Sequence, residues 1–232
     1  MIAVPLRLVV MVDPAYLCPT AHVDADHPAV REFAEGTVAG LTTPREKAVA
    51  LFYAVRDGIR YTPYGIDLSP EAMRASATLS EGKGFCIPKA LLLTASARAV
   101  GVPARLGFAD VRNHLASQRL LDLMGGNEVF AWHAFTEFFL NDRWLKATPA
   151  FDIGLCERFG VRPLEFDGTT DALFHPFDAA GRPHMEYVRE RGSYADLPLE
   201  EIRETFERLY PAWVEGKPDG DLHAEATAEG SI

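Results

Sequence analysis

Gly82-Lys83-Gly84-Phe85-Cys86-Ile87-Pro88-Lys89 is the stretch on which the reading of this chain turns. Its glycines form a small flexible segment that delivers one cysteine to the first turn of a helix. The run that follows contains Ala90-Leu91-Leu92-Leu93, Ala95, Ala97, Ala99 and Val100. It is apolar almost all round, the pattern of a helix surrounded by the rest of the fold. Gly101 and Pro103 then read as a C-cap and a stop. The start of a helix carries unpaired N–H groups and the positive end of the dipole, and both favour a thiolate. Cys86 is therefore a candidate nucleophile. The alternative is a small buried hydrophobe, a common fate of cysteine.

Upstream, residues 4–12 read as a first strand, and Asp26-His27-Pro28 as a helix start with Val30, Phe33 and Ala34 facing inward. Thr43-Pro44-Arg45-Glu46 has the form of a capping box, with Ala48, Val49, Leu51, Phe52 and Val55 on the buried face and Gly58 at the end. Ile59 to Thr62 is extended, and Ser69-Pro70-Glu71 predicts a short helix. Downstream the character changes. Arg105–Arg112 and Phe130–Leu140 read as strands, and Asn141-Asp142 as a two-residue turn into a return strand over Arg143–Ala147. Between them, His114–Gly126 predicts a short helix with a glycine exit. Helices first and an antiparallel meander second give an α+β class. Phe151–Tyr194 yields no assignment. Asp196 is expected to cap an amphipathic helix carrying Leu199, Ile202, Phe206 and Leu209, which Pro211 ends. The division expected is a single domain over residues 1–215, with its core at about 43–152, and a disordered acidic tail over 216–232.

The 232 residues are 48% hydrophobic and 24% charged, enough to bury a full core. The net charge of −10 argues against nucleic acid and against an anionic membrane surface as partners. Three scattered cysteines, Cys18, Cys86 and Cys156, make no disulfide framework and no C-x-x-C pair for zinc. With no charged leader, no cleavage site and no apolar span of membrane length, a cytoplasmic protein is expected. His22, Asp24, Asp26 and His27 lie close together but match no helix-based ligand spacing, so a polar loop accounts for them and neither metal nor cofactor is expected.

A cysteine nucleophile needs a base, and the base needs an orienting group. Among seven histidines, His133 stands out at the start of an aromatic strand, in Trp132-His133-Ala134-Phe135-Thr136-Glu137. The cysteine segment and its continuation Ala99-Val100-Gly101-Val102-Pro103-Ala104-Arg105, together with His133–Leu140 and Asn141-Asp142-Arg143-Trp144, resemble the nucleophile and histidine segments of the transglutaminase-like superfamily. The resemblance runs from about Thr43 to Asp152.

That resemblance implies a papain-like fold in which a central helix carries the cysteine and packs on an antiparallel sheet. It implies a Cys86–His133 pair that forms a thioester from an amide or ester, with a peptide, protein or small amide as substrate. In the family an Asp before a proline completes the triad. Here Thr148 stands before Pro149, so Thr148 and the nearby Asp152 are the candidates for third member. The family's upstream oxyanion donor points to Tyr61 or Tyr64, and Trp132 is a further candidate at the substrate site. Hydrolysis is favoured over cross-linking by the resemblance. The rival reading, prompted by the missing Asp, is a catalytically silent scaffold that binds peptides.

Overall fold

The computed structural model describes residues 12–114, 116–174, 181, 184–216 and 219–229. The expected strand over 4–12 lies, apart from Val12, outside them. After a short 3-10 turn at Pro14–Tyr16, two helices follow, α1 (Pro28–Thr37) and α2 (Pro44–Gly58). Val30 and Ala34 of α1 are buried, as expected. At α2 the capping box is complete: the Glu46 N–H donates to Thr43 Oγ1 at 3.2 Å, and Glu46 Oε2 accepts from the Thr43 N–H at 3.0 Å. The chain then forms β1 (Arg60–Tyr61), α3 (Ala75–Glu81) and β2 (Lys83–Gly84), with β1 and β2 paired in parallel. Ser69 starts only a turn, its Oγ accepting from the Ala72 N–H at 3.3 Å, and the helix waits until Ala75. One capping hydroxyl does not sustain a helix when the buried face begins at Ala75 and Thr78.

Next comes α4 (Cys86–Ala99), every residue of which from Ile87 to Arg98 is buried. The glycines before it are fixed rather than flexible. Gly82, at φ 64°, closes α3 in the left-handed conformation, and a Cβ on Gly84 would meet the Pro88 Cβ at 2.9 Å. Most polar side chains of α4 act as ties, the Ser96 hydroxyl being the buried exception with no partner among the described residues. Lys89 Nζ donates to the carbonyls of Arg56 and Ile59, at 2.9 and 2.5 Å. Arg98 donates to the carbonyls of Ala104, Cys18 and Ala195. Thr136 Oγ1 donates to the Ala90 carbonyl at 3.1 Å. A helix can be buried on all sides because such groups find partners.

The sheet is built from β3 (Ala104–Asn113), β4 (Val129–Leu140), β5 (Arg143–Ala147) and β6 (Met185–Tyr194), in the order β5-β4-β3-β6, with every neighbour antiparallel. The short helix α5 (Gln118–Leu123) links β3 to β4. Asn141 and Asp142, at φ 52° and 65°, form the tight turn of the β4–β5 hairpin. Helix α4 packs on β4 and β3, and the molecule is α+β with an antiparallel sheet.

After β5 come α6 (Ile153–Phe159), then β6, α7 (Leu199–Leu209), α8 (Pro211–Gly216) and α9 (Leu222–Glu229). Two expectations are corrected here, and one is extended. Asp196 does not cap α7, whose cap position is Pro198; its carboxylate accepts from the backbone N–H groups of His22 and Val23. Pro211 ends α7 but also opens α8, since proline is tolerated in a first turn. The expected disordered tail instead contains a helix, and Leu222 and Ala226, four residues apart, form its buried face.

Candidate active site

Cys86 is the first residue of α4, and the cap position before it is Phe85, which offers no side-chain acceptor. The N–H groups at this end of the helix are therefore left for the sulfur and for whatever binds beside it. The backbone N–H groups of Ala134, Ile87 and Cys86 favour the thiolate, but burial outweighs them and pushes the thiol up to about 11. The contribution from Ala134 places the sulfur beside the residue that follows His133.

His133 is 6% exposed and sits in β4 opposite Ala109. Two residues, Ala131 and Trp132, face Asp110 alone between the pairs Ala109–His133 and Val111–Phe130, which makes a β-bulge. Trp132 takes the left-handed conformation there, at φ 59°, and its N–H donates to Asp110 Oδ1 at 3.1 Å. Asp110 is held in turn by Arg191 of β6 in a two-pronged ion pair. The bulge changes the facing of the strand just before His133. The imidazole rests on Phe174, with ring centres 5.4 Å apart, and faces Tyr187 at 6.5 Å. Burial alone lowers its pKa to about 4.

Cys86, His133 and Tyr61 line one cavity. Beside it three buried polar atoms have no hydrogen-bond partner among the described residues: His133 Nε2, Thr148 Oγ1 and Tyr187 Oη. Tyr187 is coupled to the group. Burial raises its pKa to about 12, the Phe174 backbone and then the Thr148 hydroxyl lower it, and the Cys86 charge raises it.

The remaining sequence candidates separate cleanly. Tyr61 lines the cavity: its ring meets Phe151 edge-on at 4.9 Å, and its pKa is raised well above the usual value by burial and by Cys86. Tyr64 lies elsewhere; it lines the neighbouring groove and not the cavity of Cys86 and His133, and its hydroxyl donates to Glu225 of α9 at 2.5 Å. Trp132 is also outside the cavity, with its indole N–H on Thr205 of α7 at 3.0 Å and its ring under Arg191. Asp152 does not bond the imidazole. One of its oxygens caps α6 by accepting from the Leu155 N–H at 2.9 Å. The other accepts from the Tyr61 N–H at 3.0 Å and lies 3.2 Å from His223 Nε2. A carboxylate that opens a helix is held by that helix.

Sequence reasoning missed Tyr187, which lies in the stretch that gave no assignment. Only its pairing with Val111 across β3 and β6 brings it to the site, and no local pattern announces that pairing. Among the described residues no group of three or more His, Cys, Asp or Glu converges as a metal ion would require. No helix among them is long and apolar enough to cross a membrane.

A helix-borne cysteine beside a strand-borne histidine, on an α+β core, defines a class of thiol site. Residues 31–149 match the transglutaminase-like superfamily, and the chain belongs to it. No curated protein matches the chain. Among solved structures, a candidate cysteine protease from Cytophaga hutchinsonii is similar, at 16% identity and a TM-score of 0.47, over 81% of this chain and 57% of that one. A candidate protease from Parabacteroides distasonis ATCC 8503 is similar at 15% identity and a TM-score of 0.37, over 55% of this chain and 26% of that one. The chain thus spans little more than half of the first and about a quarter of the second.

Proposed function

We propose that the protein is a cysteine-dependent hydrolase or acyltransferase acting on an amide or ester bond, with Cys86 as nucleophile and His133 as base. The observation that carries this reading is the meeting of the two motifs: the N–H of Ala134, next to His133, is directed at the Cys86 thiol, and both side chains line one cavity.

A thiol at about 11 beside an imidazole at about 4 rests as a neutral pair, not as thiolate and imidazolium. The proton therefore moves from sulfur to His133 as sulfur attacks the carbonyl carbon. The negative charge that forms on oxygen faces the N–H groups of the α4 start, with the Tyr61 hydroxyl nearby. On collapse the C–N or C–O bond breaks, and the imidazolium gives its proton to the leaving group. Water resolves the thioester in hydrolysis, with His133 again taking the proton; an amine does so in transfer.

Thr148 and Tyr187 take the orienting place that a carboxylate holds in the family. Their hydroxyls can fix the imidazole tautomer but cannot neutralise the imidazolium. That feature, together with the commitment of Asp152 to α6, is what favours the second reading, a cleft that binds peptides without turning them over.

The test is turnover of peptide anilides and simple esters, with the enzyme quenched in acid and its mass measured. Cys86→Ala should abolish the acyl adduct and lower kcat by at least ~10³-fold, and His133→Ala by at least ~10²-fold. Turnover that survives Cys86→Ala would remove the proposal, whereas a folded wild-type protein that binds peptides without an adduct would establish the second reading.

A further inference from the structure

The cavity that Cys86 and His133 share is walled mainly by hydrocarbon, with Tyr61, Asn113 and Ser117 as its further polar residues. Val111 of β3, Leu120 of α5, Phe130 of β4, Phe174, Phe206 of α7 and Trp213 of α8 all face it. Phe206 and Trp213 stack with ring centres 6.0 Å apart, and Phe130 meets Trp213 edge-on at 6.4 Å. No Asp, Glu, Lys or Arg is among its lining residues. Ser117 belongs to the lining, but its hydroxyl donates to Glu225 of α9 at 3.1 Å and so is already engaged. A separate groove beyond Phe85 and Gly84 has the opposite character, with Asp67, Glu81 and Lys83 along it.

A charge carried into the first space would meet no Asp, Glu, Lys or Arg among the described residues that line it, and leaving water without a counter-ion is expensive. Apolar surface, by contrast, gains on entering. We infer that the acyl group delivered to Cys86 is an uncharged aliphatic or aryl-alkyl group, and that acyl groups carrying a carboxylate or an ammonium are rejected. This inference rests on the cysteine–histidine reading of the same site and adds the class of substrate. The specificity resides in the acyl half of the substrate, because that half is bonded to the sulfur in the thioester and must share its cavity.

The experiment uses the full chain and four p-nitrophenyl esters: acetyl, hexanoyl, 3-phenylpropanoyl and succinyl. The Cys86→Ala protein supplies the background, and each rate is divided by the ester's own rate with a free thiol. Cys86 acylation should be at least about tenfold faster for the hexanoyl and phenylpropanoyl esters than for acetyl, about three- to fourfold per added methylene until the space is filled. The succinyl ester should be slower than acetyl. A Leu120→Trp variant, checked for an unchanged melting profile, should lose most of the phenylpropanoyl preference. If Cys86 is acylated with no preference for the longer apolar groups, or equally by succinyl, this inference is overturned and the cysteine–histidine reading stands. If none of the esters acylates Cys86, both fail together.

Discussion

Two halves of this molecule are held in place by different means. From α2 to β5 the elements are fixed by short-range signals and packed through a helix with no exposed face. From α6 onward the chain is held by side chains that reach back across long sequence distances. Glu225 of α9 accepts from Tyr64 and Ser117, Asp221 pairs with Arg60 at 2.6 Å, and a Cβ on Gly220 would lie 2.7 Å from the Tyr64 ring. The first half carries both proposed catalytic side chains. The second supplies Phe174, Tyr187, Phe206 and Trp213, the walls around them. In the proposed reading, one half carries the chemistry while the other bounds what that chemistry can reach.

The sharpest way to break this contrast is to remove equal volume from each side. Leu92→Ala, at a fully buried position of α4, should cost about 2–5 kcal/mol in denaturant unfolding. Leu222→Ala in α9 should cost less than half as much, because its small cluster is bounded by a helix that can shift. Equal losses would mean that α9 is as integral as α4.

Acid tests the first half alone. His133 stays neutral in the fold down to about 4, against an ordinary value of 6.5. Between those pH values the unfolded chain binds a proton that the folded chain does not, so stability falls as pH drops through this window. The effect reaches about 3 kcal/mol at most. His133→Phe should flatten that part of the pH profile; an unchanged slope would assign the acid sensitivity to other groups.

The smallest expected effect belongs to the second half. Tyr64→Phe deletes the hydroxyl that donates to Glu225 and should cost about 1–2 kcal/mol. Limited proteolysis should then cut earlier within residues 219–229 than in the wild type, while global unfolding moves little. Cutting at an unchanged rate would show that Asp221 and Leu222 hold α9 without Tyr64.

What the sequence disclosed follows the same division. The capping box at Thr43, the apolar run after Cys86 and the Asn141-Asp142 turn are local features, and each element appears where the pattern predicts it. The gathering of Cys86, His133 and Tyr61 around one cavity was legible because they sit within or beside those elements. Tyr187 was not, since its place depends on β6 pairing across the sheet to β3. Tyr64 and Asp152 looked like site residues because they neighbour the motifs in sequence, but each serves a contact with a distant segment, Glu225 in one case and His223 in the other. The tail was read as disordered because two buried residues four apart are too weak a signal against an acidic background.

The central claim is that His133 activates the half-buried Cys86. Iodoacetamide labelling resolved by residue across pH 4–11, in wild type and His133→Ala, tests it most directly. If the claim holds, Cys86 labels near neutral pH well above the rate that its own ionisation near 11 permits, and the His133→Ala protein loses that excess. If Cys18 labels first and Cys86 reacts only as pH approaches the thiol's own value near 11, unaffected by His133→Ala, the pair does not work together and the account is contradicted.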